Sequence, residues 1–441
     1  MTVKSDLCLQ PLPMTDGVPL NCEGYIGWRF AVQIALVTGA NVLPFILGTS
    51  QLGGPRWVDV TGDIQGLSWG RGGQPAQRPI AGELSFRMLN NDWKWSPWRS
   101  PFYGPGTTVR IVVGNGTITK NQFCGQVQSW NEGSVGLDAY SWVDITVWEN
   151  FYLLSQVNDH ALAGVVGGGE TLTQRVDRLL TQAAWQYDRD IVSSTPATFQ
   201  SSDFAQDVAT ELFRTLDSVD ATAWPAKDGM IKIRDRSVGT GAHWTLGHPD
   251  LNPDTFVTQN DDERILSSVD LARIGGTFVT YTNLGLASRY DRRSTNRTDL
   301  NTVAEGGDAD LARVASGVLA RARQTYRPIS FEVQSGQGEF ASELILESDL
   351  TDRITIDDGP VAFVNYAICG YQHDVVVTAD GVYWIATIML DIEATSAWYA
   401  GTFAPALVGF ARVGQSRVGF SYNALVTSPT LTTSTTTKTM G

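Results

Sequence analysis

The sequence has little of what marks a disulfide-rich secreted domain or a membrane protein. Its four cysteines, Cys8, Cys22, Cys124 and Cys369, are scattered and form no CxxC pair. We expect them to act as small buried apolar side chains in a protein made in a reducing cytosol. No uninterrupted run of about 20 apolar residues occurs, so we expect no membrane span. The first twenty residues lack a continuous apolar segment and do not indicate a signal peptide.

Histidine and concentrated basic charge are also scarce. The four histidines, His160, His243, His248 and His373, are widely spaced. His243 and His248 with Asp250 lack the further ligands that tetrahedral zinc requires, so we predict no metal site. There are 32 Lys and Arg against 46 Asp and Glu, a net charge of -14, which argues against binding nucleic acid through its phosphates. An acidic wall that DNA passes without sticking is compatible with this charge, and so is ordinary solubility.

Two glycine-rich stretches do not indicate a cofactor site. Gly167-Gly168-Gly169 is not followed by Lys-Ser or Lys-Thr, so it is not a phosphate-binding loop. The stretch Gly70-Arg71-Gly72-Gly73 resembles a lone RGG element, which we interpret as a turn. We predict no cofactor and no catalytic residue.

Short alternating segments dominate what is present. Val143–Val147 and Ile231–Arg234 alternate apolar and polar side chains, as half-buried strands do. Dipeptides that favour tight turns separate such segments: Asn115-Gly116, Asp228-Gly229, Asp358-Gly359 and Asp380-Gly381. At 441 residues with 42% hydrophobic content, the chain is long enough for two to four mainly β domains.

Helical spacing occurs in three places. Thr171 and Gln174 form a capping-box pattern before one apolar stripe, a second stripe follows Asp203, and a third covers residues 309–325. We interpret these stripes as core faces. Thr427–Thr439 is mostly Thr and Ser and is predicted to be a flexible tail, or an arm ordered by a neighbour.

An internal repeat is the most informative pattern. Thr108–Val113 and Thr351–Ile356 are each followed by a turn glycine, then by a Cys-Gly pair, and then by an alternating strand that opens with Tyr140 or Tyr383. The order of these features, more than any one of them, indicates two related β units.

The repeat extends upstream of these threonines. Ser85–Met88 matches Ser330–Val333, and Asp63–Trp69 pairs more loosely with Arg264–Leu271. The predicted fold class is therefore mainly β with α+β insertions, in which two related β-barrel domains are separated by a small α/β domain. The predicted boundaries are an N-terminal segment 1–54, a first barrel 55–158, an α/β domain 159–255, a second barrel 256–403 with a helical insertion at about 283–327, and a C-terminal segment 404–441.

Two similar barrels on one chain have a geometric consequence. Three copies around a threefold axis would present six similar domains, and such a ring can close on a sixfold tube without a mismatched interface. Closure would also cover edge strands that an open sheet leaves exposed.

Several segments resemble one protein family, and they follow one another in the order found in that family. They are Trp57–Thr61, Gly66–Gly72, Gly82–Asn91, Ser100–Tyr103, Thr108–Ile111, Arg289–Ser294 and Leu350–Ile356. They resemble the minor tail proteins, or tail-tip baseplate hubs, of long-tailed siphovirus-like bacteriophages that infect actinobacteria. The resemblance covers about residues 55–400.

The resemblance implies a homotrimeric structural hub with barrels of the phage tail-hub type, located at the tail tip of the virion and assembled in the host cytoplasm. Such a hub closes the tail tube and lies between the tube or distal tail ring and the distal tip or fibre proteins. It leaves a channel through which tape-measure protein and genomic DNA pass at ejection, without specific DNA binding. It implies no enzymatic activity.

An aromatic loop is the one candidate site. It contains Trp93, Trp95, Trp98, Phe102 and Tyr103, framed by prolines. Aromatic side chains are favoured interface anchors, so we expect this loop to face a neighbouring subunit. Three alternatives stay open for the chain: a receptor- or glycan-binding tail protein that uses this loop, a hexameric distal tail ring, and, with less support, a cell-wall hydrolase.

Overall fold

The computed structural model describes most of the chain between residues 17 and 392 and one segment beyond it. The described residues are 17–22, 24–36, 56–73, 80–100, 102–135, 140–157, 167–185, 187–193, 195–201, 207–235, 243–247, 255–258, 265–284, 287–288, 294–300, 302, 309–321, 329–358, 361–392 and 431–435. Strands dominate these residues, which confirms the prediction of a mainly β protein.

Twenty-one strands are described. They are β1 Val18–Pro19, β2 Arg29–Leu36, β3 Arg56–Asp59, β4 Ile64–Gly72, β5 Ile80–Leu89, β6 Thr108–Gly114, β7 Thr119–Val135, β8 Tyr140–Glu149, β9 Arg189–Val192, β10 Ala221–Pro225, β11 Ile231–Asp235, β12 His243–Gly247, β13 Val257–Thr258, β14 Ser268–Arg273, β15 Val279–Asn283, β16 Ser294–Leu300, β17 Ile329–Gln334, β18 Arg353–Asp358, β19 Val361–Thr378, β20 Gly381–Ile392 and β21 Leu431–Thr435. The helices are α1 Leu153–Gln156, α2 Leu172–Gln182, α3 Val208–Ser218, α4 Ala309–Arg321 and α5 Glu339–Glu347.

One large sheet organises the molecule. Its fourteen strands include the path β1-β2-β6-β7-β8-β5-β4-β19-β20-β17-β13, with β3 beside β2 and β12 beside β18, which itself pairs with β19. The strand order β6-β7-β8-β5 in the first half recurs as β18-β19-β20-β17 in the second half, with every pairing antiparallel. The four best-matched strands of the predicted repeat therefore share one topology.

The two halves are continuous. Strand β4 of the first half pairs antiparallel with β19 of the second, from Leu67 opposite Val375 to Gly72 opposite Gly370. A single β-bridge between Leu20 and Val382 also brings the start of the described chain alongside β20.

The halves also share one hydrophobic core. Phe30 of β2, Trp69 of β4 and Trp384 of β20 lie in contact inside it, with ring centroids 5.1 to 5.8 Å apart. Among the described strands, no ladder closes either half into a barrel of its own. The predicted arrangement of two separate barrels is not confirmed, because the β4–β19 ladder merges the two sheets.

One part of the predicted repeat is wrong. The sequence pattern paired Asp63–Trp69 with Arg264–Leu271, but β14, which begins at Ser268, belongs to a separate four-stranded sheet with the order β16-β14-β15-β21. The strand that flanks β17, as β4 flanks β5, is the short β13. Alternation alone indicated the segment that contains β14 and gave no sign of the two-residue β13.

The middle of the chain forms a smaller unit. A three-stranded sheet, β10-β11-β9, packs with α2 and α3 around a second core. The predicted capping box is present, because the Thr171 hydroxyl accepts from the Gln174 backbone N–H and the Gln174 side chain accepts from the Thr171 N–H. The second helix begins at Val208 after the N-cap Asp207, later than predicted, and Phe204 lies outside the described residues.

A third core lies beneath α4. This helix, predicted over 309–325, packs Leu311, Val314 and Val318 against β14 and β15. At the outer edge of this sheet, β21 pairs antiparallel with β15 from Leu431 to Thr435. Part of the Thr-rich tail thus pairs with a strand of its own chain. The rest of the tail lies outside the described residues.

Two further predictions can be compared with the structure. Cys22 and Cys369 are free thiols, but Cys124 is disulfide-bonded, so the expectation of four reduced cysteines is wrong. No helix among the described residues has the length and apolar character needed to span a membrane.

Candidate functional site

The sheet has one broad face that does not pack on the core. Across seven neighbouring strands, paired residues form a row that consists of Gln334, Ile385, Asp374, Ser68, Ser85, Thr146 and Ser129. None of them is buried. Because neighbouring strands lie about 4.8 Å apart, this row is about 29 Å long. It crosses from the second half to the first without interruption.

Parallel rows complete this surface, which we call the open face. One neighbouring row runs Glu332, Thr387, Gln372, Gly70, Glu83, Trp148 and Gln126. The row on the other side includes paired Tyr383 and Val376 in the second half, and Gly66, Arg87, Asp144 and Asn131 in the first.

The open face is acidic and carries mostly short side chains. Its three rows contain four carboxylates, from Glu332, Asp374, Glu83 and Asp144, and one guanidinium. That guanidinium, on Arg87, is already engaged by Asp144 through bonds of 2.6 and 2.8 Å. Serine, threonine, glycine and glutamine fill most other positions. Such a surface repels phosphate and offers no free arginine or lysine in these rows to hold it.

A buried charged cluster lies on the other side of β4. Arg71 points into the protein, where its Nε contacts a Glu149 carboxylate oxygen at 2.7 Å and its Nη1 contacts Asp349 at 3.0 Å. Its Nη2 donates to the Pro225 carbonyl at 2.7 Å. One side chain therefore joins the first half, the second half and the middle unit. We call Arg71, Glu149, Asp349, Lys227 and Lys232 the junction cluster.

Electrostatics keep Arg71 charged in this cluster. Burial by itself lowers the pKa of Arg71, but the carboxylates of Asp349 and Glu149 outweigh it and raise that pKa above its ordinary value. Glu149 is held on its other oxygen by the Gly82 N–H at 2.7 Å, although burial still raises the pKa of its carboxyl. Lys232 Nζ lies 3.3 Å from the second oxygen of Asp349.

Lys227 joins the middle unit to the end of α5. It lies in the turn between β10 and β11, and its ammonium donates to the carbonyls of Ile345 at 3.3 Å and Leu346 at 3.0 Å and to Gln122 Oε1 at 2.9 Å. Carbonyls in the last turn of a helix lack intrahelical donors, and a cation there also suits the helix dipole. Burial is the largest influence on this group and lowers the pKa of Lys227 to about 7.

The predicted aromatic loop is divided by the structure. Trp95 is buried, donates from Nε1 to Asp63 at 3.1 Å and contacts Tyr103 edge to face, and Tyr103 in turn stacks on Trp130. Phe102 is half-buried, and its carbonyl accepts from the Thr107 hydroxyl at 3.0 Å.

The other two predicted residues point outward. Trp93 is half-buried and Trp98 is 68% exposed, with ring centroids 6.3 Å apart. Trp95 and Tyr103 thus hold the loop together within one chain, and Trp98 is the exposed member of the predicted set.

The sequence prediction missed the junction cluster. Gly70-Arg71-Gly72-Gly73 was interpreted as a turn, but residues 70–72 are the end of strand β4. A usable signal was present, because Leu67, Trp69 and Arg71 alternate and so share the inward face. Lys227 and Asp349 carried no comparable signal, and α5 carried only the short helical spacing of its exposed glutamates. Among the described residues, no three His, Cys, Asp or Glu side chains are grouped to hold a metal ion; His248 and Asp250 lie outside the described residues.

Comparisons with known proteins identify the fold. No protein-family model and no curated protein sequence matches the chain. Among solved structures, it is similar to a tail protein from Neisseria meningitidis MC58, with a TM-score of 0.53 and 14% identity over 82% of this chain and 96% of the other. It is also similar to the 43 kDa tail protein of prophage MuSo2 from Shewanella oneidensis, with a TM-score of 0.56 and 12% identity over 83% and 99% of the two chains. The chain therefore shares the fold of these tail proteins over nearly their whole length.

Proposed function

We propose that the chain is a structural protein of a bacteriophage tail, the homotrimeric hub that closes the tail tube at its tip. The shared fold with two tail proteins supports a place in the tail. The observation that carries the hub assignment is the repeated strand order of the two halves within one sheet, with an acidic open face running across both.

The repeat supports a threefold ring that matches a sixfold neighbour. Each copy contributes two units of the same strand order, so three copies contribute six similar units around the axis. A cyclic assembly of this kind closes without unsatisfied interfaces and can meet a hexameric tube or distal tail ring on one side. On the other side it carries the distal tip or fibre proteins.

The open face supports a channel. In the proposed ring it lines the lumen, where the carboxylates of Glu83, Glu332 and Asp374 repel the phosphates of genomic DNA. Short hydroxyl side chains such as Ser68 and Ser85 offer no cation that could hold DNA during ejection, and the exposed apolar side chains of the face, Val376, Tyr383 and Ile385, lie in its second half. The channel thus lets genomic DNA pass without specific binding, and the tape-measure protein passes through the same lumen.

The proposed role is mechanical and involves no catalysed reaction. A cell-wall hydrolase would instead clear peptidoglycan in a zymogram of the purified chain, and we expect no cleared band. The protein is assembled into virions in the host cytoplasm and functions at the tail tip of a siphovirus-like particle.

Labelling of virions tests the location. An antibody raised against the purified chain, followed by electron microscopy of negatively stained particles, should mark the end of the tail remote from the head. Label spread along the whole tail would assign the chain to the tube, and label at the head would contradict a tail role. Pre-immune serum is the matched control.

A further inference from the structure

The aromatic loop presents a fixed pair of indole rings to solvent. Trp98 is 68% exposed and Trp93 is half-buried, and their ring planes meet at 52° with centroids 6.3 Å apart. The two rings are therefore a tilted pair of neighbouring indoles at the surface. The Arg99 guanidinium lies 5.9 Å from the Trp98 ring centroid.

The loop beneath these rings is rigid. The buried Asn90 side chain accepts from the Trp95 N–H at 2.8 Å and donates to the Ser96 hydroxyl at 3.1 Å. Trp95 then fills the core side of the loop, and Lys94 pairs with Asp63 at 2.8 Å. Because the loop is already ordered, a ligand that binds the two indoles costs little conformational entropy.

The backbone under the pair is strained. Asp92 and Trp93 have φ values of 58° and 55°, in the left-handed region that bulky residues avoid. The Arg99 guanidinium donates to the Asp92 carbonyl and holds this turn. Strain of this kind, maintained by surrounding bonds, is concentrated at binding sites because it fixes a side chain in an orientation that relaxed backbone would not give.

The size of the patch decides which partner it fits. Two fully exposed aromatic side chains could bury about 300 to 500 Å² in total, and this pair offers less because Trp93 is already half-buried. A stable protein interface buries about 800 Å² on each partner. The residues around the pair are exposed and polar: Asn91, Asp92, Lys94 and Arg99. A subunit contact would need further apolar surface here, and the described residues of the loop add only the half-buried Pro97, Phe102 and Tyr103 and the exposed Pro105.

We propose that Trp93 and Trp98 form a carbohydrate-binding platform for a neutral hexopyranose chain. The C–H groups on one side of a pyranose ring make an apolar face that packs on an indole. The hydroxyls around the ring edge match the carboxylate of Asp92, the amide of Asn91 and the guanidinium of Arg99, which supply acceptors and donors on the rim. The inference goes beyond the hub assignment, because it concerns a ligand of the isolated chain.

Titration of the purified full chain with defined sugars tests the platform. The probes are soluble hexasaccharides of glucose, mannose, galactose and N-acetylglucosamine, followed by calorimetry and saturation-transfer NMR. At least one should bind with a Kd of about 1 mM or below, and Trp98→Ala and Trp93→Ala should each weaken it about tenfold or more. Tyr383→Ala, which removes a similarly exposed ring from the open face, should leave the affinity unchanged.

Other outcomes overturn the platform. If no hexasaccharide binds at about 10 mM, or if binding survives Trp98→Ala, the proposal is wrong. If no sugar binds the wild type and Trp98→Ala lowers the mass of an oligomer formed by the wild type, the loop is a subunit contact instead. None of these results depends on where the chain lies in the virion, so the platform and the hub assignment fail separately.

Discussion

The buried charges of the junction cluster hold distant parts of the sequence together. Arg71 is fully buried and bonds to groups from three regions, at Glu149, Asp349 and Pro225. Removing charges from water is expensive, and the cost is recovered only when every partner remains in place. The cluster therefore stabilises one relative arrangement of the two halves and the middle unit.

Replacing Arg71 tests this role. Arg71→Met leaves Glu149 and Asp349 in the interior without their main cation, so the free energy of unfolding should fall by about 3 to 5 kcal/mol in urea denaturation. Arg87→Met is the matched control, because Arg87 also pairs with a strand carboxylate but its side chain is 49% exposed. Arg87→Met should change the free energy of unfolding only slightly. Equal losses in the two variants would contradict a special role for the junction cluster.

Lys227 predicts a pH dependence of stability. Burial lowers its pKa from 10.5 to about 7 in the folded chain. Between these values the unfolded chain holds a proton that the folded chain releases, so stability rises with pH across this window. The gain is at most about 1.4 kcal/mol per pH unit.

The comparison is made against Lys227→Met, which has no group to titrate at this position. Urea denaturation of both proteins from pH 7 to pH 10 should show that the wild type gains stability relative to the variant. Groups that do not interact with Lys227 titrate equally in both proteins and cancel in the difference. Parallel pH profiles would show that Lys227 keeps an ordinary pKa in the folded chain.

Only part of this residue-scale picture could be predicted from the sequence. The alternation of Leu67, Trp69 and Arg71 gives the inward direction of Arg71, but its partners come from positions far along the chain. The aromatic loop has no period, so the sequence could not separate buried Trp95 from exposed Trp98. Which tryptophan is covered depends on Asp63 and Tyr103, which reach it only in the folded protein.

At the scale of elements, the joint between β4 and β19 depends on close backbone approach. Gly72 has a φ of 78°, and a Cβ added there would lie 2.3 Å from the Cys369 carbonyl oxygen. A side chain at this position would push β19 away. Gly66 lies on the same strand, but the nearest atom to an added Cβ is 3.9 Å away. The pairing of β4 with β19 therefore requires glycine at position 72 but leaves room for a side chain at position 66.

Alanine substitutions of Gly72 and Gly66 test the pairing of β4 with β19. Gly72→Ala should lower the free energy of unfolding by more than about 2 kcal/mol, because the left-handed backbone alone costs a side chain about 1 to 2 kcal/mol and the clash adds to it. Gly66→Ala should stay within about 1 kcal/mol of the wild type. Thermal unfolding of both variants measures the difference. A Gly72→Ala protein as stable as the Gly66→Ala protein would contradict the pairing of β4 with β19.

Helices and strands were predicted correctly where the sequence signal lies within a few neighbouring residues. Helix α2 was predicted with its cap because Thr171 and Gln174 are neighbours in sequence. The nine-residue α5 was not predicted, although Glu339, Glu343 and Glu347 mark one exposed side at helical spacing, because a pattern this short also fits other structures. The correspondence of β4 with β14 failed, because strand pairing is decided by distant partners.

At the scale of the whole molecule, the repeat was visible in the sequence but its consequence was not. Matching positions of Thr108 and Thr351 predicted two related units, and the shared strand order of the two halves agrees with this. The merging of their sheets depends on the β4–β19 ladder, which no local pattern encodes. Both halves share one hydrophobic core. A destabilising substitution in either half should therefore lower the stability of the other half as well.

Symmetry of the tail tip tests the central proposal most directly. Cryo-electron microscopy of isolated tails, averaged without imposed symmetry, should show three copies of the chain at the tip, with the two halves alternating around a lumen lined by Ser68, Ser85 and Asp374. Six copies in a ring, one copy on the axis, or a lumen formed by another surface would contradict it.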